Sequence, residues 1–303
     1  MDLSMRHEKH AVNQDAFILK GGKGMNVKYD FSGKTAVVTG AASGIGEGIA
    51  LAFAESGASV AILDINMEKG QETAAACEKL GVKAKAFLAD ITSEESLQSA
   101  REGVLETFGT VDFLISHAGV AKVPGLKTNP FTPPIKNLPL EHWEILMNYN
   151  LFGAVRVTNA FLDILEDKKD GKVVYTASVA GLKAGAKKPH YHAAKSALIN
   201  FAKSVAQECG PFNVNVNVVN PGWVYTPIYE NLIDVVKNPA WGDAYKDCKT
   251  SQEALDVMAK SLGTFLQRSQ SVESTAQAYL WLCSDGAREL TGQTINVDSG
   301  WLV

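Results

Sequence analysis

Four cysteines in 303 residues (Cys77, Cys209, Cys248 and Cys283) stand far apart, with no Cys-x-x-Cys pair among them. That scarcity argues against a disulfide framework and fits reduced thiols acting as small buried hydrophobes in a reducing compartment. The six histidines have no metal-ligand spacing, and His190 and His192, two apart, cannot share a helical face, so no metal is expected. A dense Lys/Arg patch is also missing. With a net charge of −4 and a pI near 5.9, nucleic acid is not an expected partner. No stretch approaches the roughly 20 apolar residues of a membrane helix, and the first 24 residues lack the apolar core of a secretory signal. The expected location is therefore cytoplasmic. Repeats at solenoid periods and low-complexity tracts are absent.

What is present is an ordinary globular balance, 46% hydrophobic and 20% charged, enough for one large core. Residues 1–30 are polar and aperiodic and read as a flexible extension, with Met25 an alternative natural start. From Lys34 onward, short apolar runs alternate with helical patterns. Residues 35–39, 59–63, 83–88, 113–116, 172–176, 213–219 and 294–297 read as strands. Most are continuous apolar runs, as in strands buried on both faces. Residues 46–56, 67–80, 94–108, 142–165, 191–208 and 272–282 read as helices. This alternation predicts an α/β fold: a doubly wound, Rossmann-like parallel sheet of about seven strands with helices on both faces, forming a single domain over 31–303. Binding then belongs at the carboxyl ends of the strands. Two connections break the rhythm, a proline-studded segment over 120–140 and a long one over 223–267, and both are candidate substrate loops.

Gly40, Ser43, Gly44, Ile45 and Gly46 lie in a glycine-rich turn between the first strand and the first helix. Glycine lets a backbone approach a pyrophosphate, and a helix N-terminus presents free N–H groups to it. Such a turn also occurs for packing alone. The second strand, however, ends in Asp64, whose carboxylate suits the ribose hydroxyls of an adenosine and would repel a 2′-phosphate. No Arg or Lys sits in the turn or just after Asp64. The expected cofactor is therefore NAD; the competing reading has Asp64 merely capping the next helix.

Tyr191 and Lys195 are one helical turn apart. A free phenol, with a pKa of about 10, is too weak an acid to serve as a base near neutrality, and a nearby cation favours its ionised form. A tyrosine four residues before a lysine is common on amphipathic helices. Ser178, closing the fifth strand, adds a hydroxyl able to hold a substrate oxygen.

With these motifs in order, the chain resembles the short-chain dehydrogenase/reductase family, of the compact type, from about Phe31 to the C-terminus. The resemblance implies an NAD-dependent enzyme interconverting a secondary alcohol and a ketone. It assigns Tyr191 as acid/base, Ser178 as orienter of the substrate oxygen, and Lys195 as tuner of the phenol and holder of the ribose. Asn150, in Asn150-Leu151-Phe152-Gly153, would hold a proton-relaying water. Cofactor contacts are expected from Gly40, Ser43, Gly44, Ile45, Gly46, Asp64, Ile65, Asp90, Ile91, His117, Ala118, Gly119, Tyr191, Lys195, Pro221, Gly222, Val224 and Thr226. One departure stands out: the family usually shows Asn-Asn-Ala-Gly where this chain has Ser116-His117-Ala118-Gly119, so His117 is expected to take over the second asparagine's bracing role. The resemblance also implies a homotetramer or homodimer. Lys183, Lys187, Lys188 and His190 suggest an anionic substrate, against the commoner reading of a solvated basic loop or a subunit contact; the two long loops suggest a medium-sized substrate, and most of the lid aromatics read as lid core. A non-catalytic dinucleotide sensor, or an epimerase or dehydratase on the same fold, are the alternatives.

Overall fold

The computed structural model describes residues 27–125, 134–185, 188–238 and 241–302. The expected extension up to residue 26, Pro130, Pro133 and Lys187 lie outside the described residues. Alternating elements build the chain: β1 (Thr35–Thr39), α1 (Gly44–Glu55), β2 (Ser59–Asp64), α2 (Met67–Lys79), β3 (Ala84–Leu88), α3 (Glu94–Phe108) and β4 (Phe113–Ser116). Then follow α4 (Leu140–Met147), α5 (Gly153–Lys168), β5 (Gly171–Thr176), α6 (Pro189–Cys209), β6 (Val214–Pro221), α7 (Leu232–Val236), α8 (Ser251–Ser261), α9 (Val272–Cys283) and β7 (Thr294–Val297).

All seven strands are parallel, in the order β3-β2-β1-β4-β5-β6-β7. Val37 pairs with Ala61 on one side and Leu114 on the other, so the strand order reverses direction at β1 and β4. A crevice opens at the carboxyl ends of such a switch point. Alternate strand residues feed two cores. Val37, Leu114 and Val173 face Leu97 and Val104 of α3, Phe161 of α5 and Leu198 of α6. Val38, Ile115 and Val174 face Ile49 and Phe53 of α1, Cys77 of α2 and Tyr279 of α9. Side-chain oxygens close the entries of four helices: Asn66, Ser93, Thr250 and Ser271 accept from the backbone N–H three residues on.

The doubly wound fold expected from the sequence is the one observed, with three corrections. Burial on both faces holds for β1, β4, β5 and β6 but fails for β3 and β7, which lie at the sheet edges where one flank has no neighbour. The long helix expected over 142–165 is two helices joined by a π-type turn, Asn148–Phe152, whose wider spacing turns Asn150 toward the loop after β4. The segment over 223–267 is no open loop: α7 and α8 enclose a small core of Val236, Tyr245 and Ala254.

Candidate functional site

At the carboxyl ends of the central strands lie two adjoining cavities, of about 310 and 250 Å³, sharing Ser43, His117, Gly119 and Val120. Around the smaller stand Gly40, Asp64, Ile65, Asp90, Ile91 and Ala118. Around the larger stand Gly44, Ile45, Asn150, Ser178, Tyr191, Lys195, Pro221, Gly222, Val224 and Thr226. Of the expected catalytic and cofactor residues only Gly46 borders neither cavity, while Lys183, Lys188 and His190, expected near the substrate, also line neither. Gly46 lies beneath the loop, where a Cβ would fall 2.1 Å from the Gly40 carbonyl oxygen.

The turn after β1 is shaped for close approach. Gly44 has φ +58°, a left-handed conformation that a side chain resists. Ser43 makes no side-chain cap, leaving the first N–H groups of α1 to face the cleft. Asp64 accepts from the Ala42 N–H at 3.0 Å through one oxygen and from the Asn66 N–H at 2.9 Å through the other. Those bonds hold the carboxylate against the glycine turn at the rim of the smaller cavity. Two adjoining chambers, bordered by the glycine turn and, at the smaller one, by Asp64, fit a dinucleotide.

The larger cavity gathers the polar cluster. Burial raises the Tyr191 phenol above its ordinary pKa, and the neighbouring Ser178 hydroxyl opposes that rise. The Ser178 hydroxyl also accepts from the Ala180 N–H at 3.1 Å. Lys195 is almost fully buried, and its ammonium donates to the Thr176 carbonyl at 2.9 Å. Burial brings its pKa down to about 8. The ammonium lies 6.0 Å from the centre of the Tyr191 ring. Asn150 donates to the carbonyls of Val120 and Leu146, both at 2.9 Å, and accepts from the Val120 N–H at 3.2 Å. Its side chain is thus committed to bracing the backbone. Gly119 separates it from Lys195: a Cβ there would lie 2.7 Å from Asn150 Oδ1 and 3.4 Å from Lys195 Nζ.

His117 sits where the two cavities meet. Its Nδ1 is 3.1 Å from the Thr176 hydroxyl, which in turn is 2.8 Å from the Tyr279 hydroxyl. Burial, with Lys195 adding to it, drives the imidazole pKa down to about 3, so the ring is neutral. Its backbone N–H and that of Ala118 both donate to the Thr39 hydroxyl at 3.0 Å. Thr39 and Thr176 escaped the sequence reading. The available signal was a hydroxyl residue at the last position of a buried apolar strand.

On the open side of Tyr191 stands Tyr229, whose phenol is pushed up to about 12 by burial and by the neighbouring Tyr191. Trp223 packs against both Tyr229 and Trp301, with ring centres 6.4 and 5.6 Å apart, and the Lys183 ammonium lies 4.6 Å over Trp301. Lys188 has a lowered pKa, first from burial and then from Lys122 nearby. Trp241 packs on Tyr245 within the lid, away from the cleft. Among the described residues no cluster of metal-ligating side chains occurs, and no helix is long and apolar enough to cross a membrane.

Residues 34–237 match a family profile described as short chain dehydrogenase. A 3-oxoacyl-(acyl-carrier-protein) reductase of Chlamydia trachomatis is 30% identical over 88% of this chain and 96% of its own length. Among solved structures, an NAD+-bound xylitol dehydrogenase superposes with a TM-score of 0.76 at 26% identity, covering 89% of this chain and 99% of that one. An L-sorbose reductase from Gluconobacter frateurii, complexed with NADPH and L-sorbose, gives 0.79 at 28% identity, covering 91% and 99%.

Proposed function

The chain belongs to the short-chain dehydrogenase family, and from that premise we propose that it is an NAD-dependent oxidoreductase interconverting a secondary alcohol and a ketone. The observation that carries this reading is the convergence of Ser178, Tyr191 and the buried Lys195 on one cavity that adjoins the glycine turn. Gly40, Ser43, Gly44, Asp64 and Asp90 would hold the adenosine and phosphate portion, and Pro221, Gly222, Val224 and Thr226 the nicotinamide portion. A dinucleotide held by these residues would supply the hydride chemistry and, in its oxidised form, a positive charge.

The side chains handle the proton. In the oxidative direction the Tyr191 phenolate takes the hydroxyl proton as the carbon loses its hydride; in reduction the phenol returns it. Ser178 donates to the substrate oxygen and steadies the charge that develops there. Burial alone works against ionising Tyr191, so a positive field is needed, and the Lys195 ammonium is the cation that the chain provides. Asn150 holds the loop after β4 through Val120, with Gly119 between its side chain and Lys195.

Xylitol dehydrogenase and L-sorbose reductase carry NAD+ and NADPH respectively, so fold alone does not select the cofactor. Asp64 favours NAD: its carboxylate occupies the place a 2′-phosphate would need, and no cation flanks it in sequence. Tyr229, backed by Trp223 and Trp301, would offer an aromatic contact to a medium-sized substrate, and Lys188 beside Lys122 would welcome an anionic group on it. A second copy is the proposed partner, meeting the apolar surface of Leu140, Trp143, Met147 and Phe152 to give a homodimer or homotetramer. The test is turnover of purified protein with NAD and with NADP on secondary alcohols, sugar acids and hydroxysteroids, with Tyr191→Phe as control. NAD-linked activity that vanishes in the control supports the proposal. Activity undiminished in Tyr191→Phe, or a clear NADP preference, would overturn its mechanism or its cofactor.

A further inference from the structure

His117 enters neither step above, yet its surroundings allow its protons to be counted. Tyr279 is fully buried, and among the described residues its hydroxyl has one partner, the Thr176 hydroxyl at 2.8 Å. A phenol that only accepted there would leave its own proton without an acceptor in the core, which burial penalises. Tyr279 therefore donates to Thr176. The Thr176 hydroxyl has one proton of its own, and its other side-chain partner is His117 Nδ1 at 3.1 Å. That proton goes to Nδ1, which must be bare. A neutral imidazole with a bare Nδ1 carries its hydrogen on Nε2. The reverse order, Nδ1–H to Thr176 and Thr176 to Tyr279, strands the phenol proton.

Thr176 serves two masters. Its hydroxyl lies in this chain, and its carbonyl receives the Lys195 ammonium at 2.9 Å. We propose that Tyr279, Thr176 and His117 form a one-way hydrogen-bond chain that holds His117 as the Nε2–H tautomer and fixes the Thr176 peptide, making His117 and Thr176 positioning residues for Lys195. The inference rests on the dehydrogenase reading for its consequence in catalysis, though not for the tautomer. The groups facing this cluster are few. Lys195 is approached by His117 from the end of β4 and by Tyr191 from its own helix, and Tyr191 by Tyr229 from the lid. No carboxylate lines the larger cavity among the described residues. No other charged side chain lines this cavity, among the described residues, to offset a shift of the ammonium. Loosening Thr176 lets that charge move, and the phenol becomes harder to ionise.

Two measurements test this on the full chain. The first is 15N NMR of protein with histidine ring nitrogens labelled, the His117 signal being assigned by its loss in His117→Asn. A protonated Nε2 and bare Nδ1, unchanged from about pH 6 to 8, is the expected result; an Nδ1–H or a charged ring overturns the proposal. The second is the pH dependence of NAD-linked alcohol oxidation in Thr176→Val, which keeps the carbonyl and loses the hydroxyl, with Thr176→Ser as the restoring variant. In Thr176→Val the acid limb of kcat moves to higher pH and kcat at neutral pH falls roughly tenfold, with KM for NAD little changed. Thr176→Ser keeps the wild-type limb. A folded Thr176→Val with an unmoved limb overturns the positioning role. Wild-type protein without turnover defeats the dehydrogenase reading instead, and the NMR result then decides the tautomer by itself.

Discussion

The two ends of the sheet carry polar side chains in similar abundance and use them in opposite ways. At the amino end the buried Asp112 accepts from the Thr35 N–H at 2.8 Å and forms ion pairs with Lys34 at 3.2 Å and with Lys168. Lys172 donates to Asn215 at 2.7 Å, and Asn215 in turn donates to the carbonyls of Arg288 and Leu290. These groups satisfy one another. The carboxyl end aims Ser178, Tyr191 and the glycine turn into open cavities. Size does not distinguish the ends, since a surface cavity of about 580 Å³ at the amino end exceeds either chamber of the cleft. What marks the candidate site is chemistry whose partners come from a ligand. Mutual pairing marks a structural end.

The sharpest way to break the comparison is one substitution at each end. Tyr191→Phe is expected to lower kcat by about 10²–10⁴-fold while the melting temperature holds. Asp112→Ala should do the reverse. It strands the Thr35 N–H and removes the shared partner of two lysines, costing about 3 kcal/mol of stability, with kcat of the folded fraction unchanged. Urea unfolding and initial rates on both variants check this; an Asp112→Ala protein that keeps its stability would erase the distinction. A smaller effect belongs to Asp64→Ala. Loss of the carboxylate should shift the ratio of kcat/KM from NAD toward NADP by at least about tenfold, measured with both cofactors on one substrate.

The smallest effect is a stability slope. Lys195 has a folded pKa of about 8, below the roughly 10.4 of an unfolded lysine. Between those values the unfolded chain binds more protons than the folded one, so stability rises with pH across that window. Lys195→Met should flatten this rise in urea titrations from about pH 8 to 9.5. An identical slope in both proteins would show that Lys195 keeps an ordinary pKa in the fold.

Much of this was legible in the chain. Continuous apolar runs at β1, β4, β5 and β6 announced double burial, and their alternation with helices announced parallel pairing. The expected site residues do gather at one cleft, because local rules govern each motif: a glycine where the backbone must bend, and a tyrosine and a lysine one turn apart. Helical periodicity could not show the π-type turn at Asn150, since the break answers to the Val120 backbone across the fold. The aromatics of residues 223–267 were ambiguous because composition does not say which side of a lid a ring faces. Tyr245 went inward, while Tyr229 faces the cleft.

By itself, then, the sequence determined the order of elements, the glycine turn with its acid, and the helix that places Tyr191 and Lys195 on one face. Each depends on neighbours within a few residues, where backbone geometry leaves few choices. Tertiary structure alone decided what surrounds Lys195. The bonds from Thr176 to His117 and to Tyr279 join residues 59 and 103 positions apart. No local periodicity encodes such a pairing; it exists only once two strands and a helix have packed around one hydroxyl.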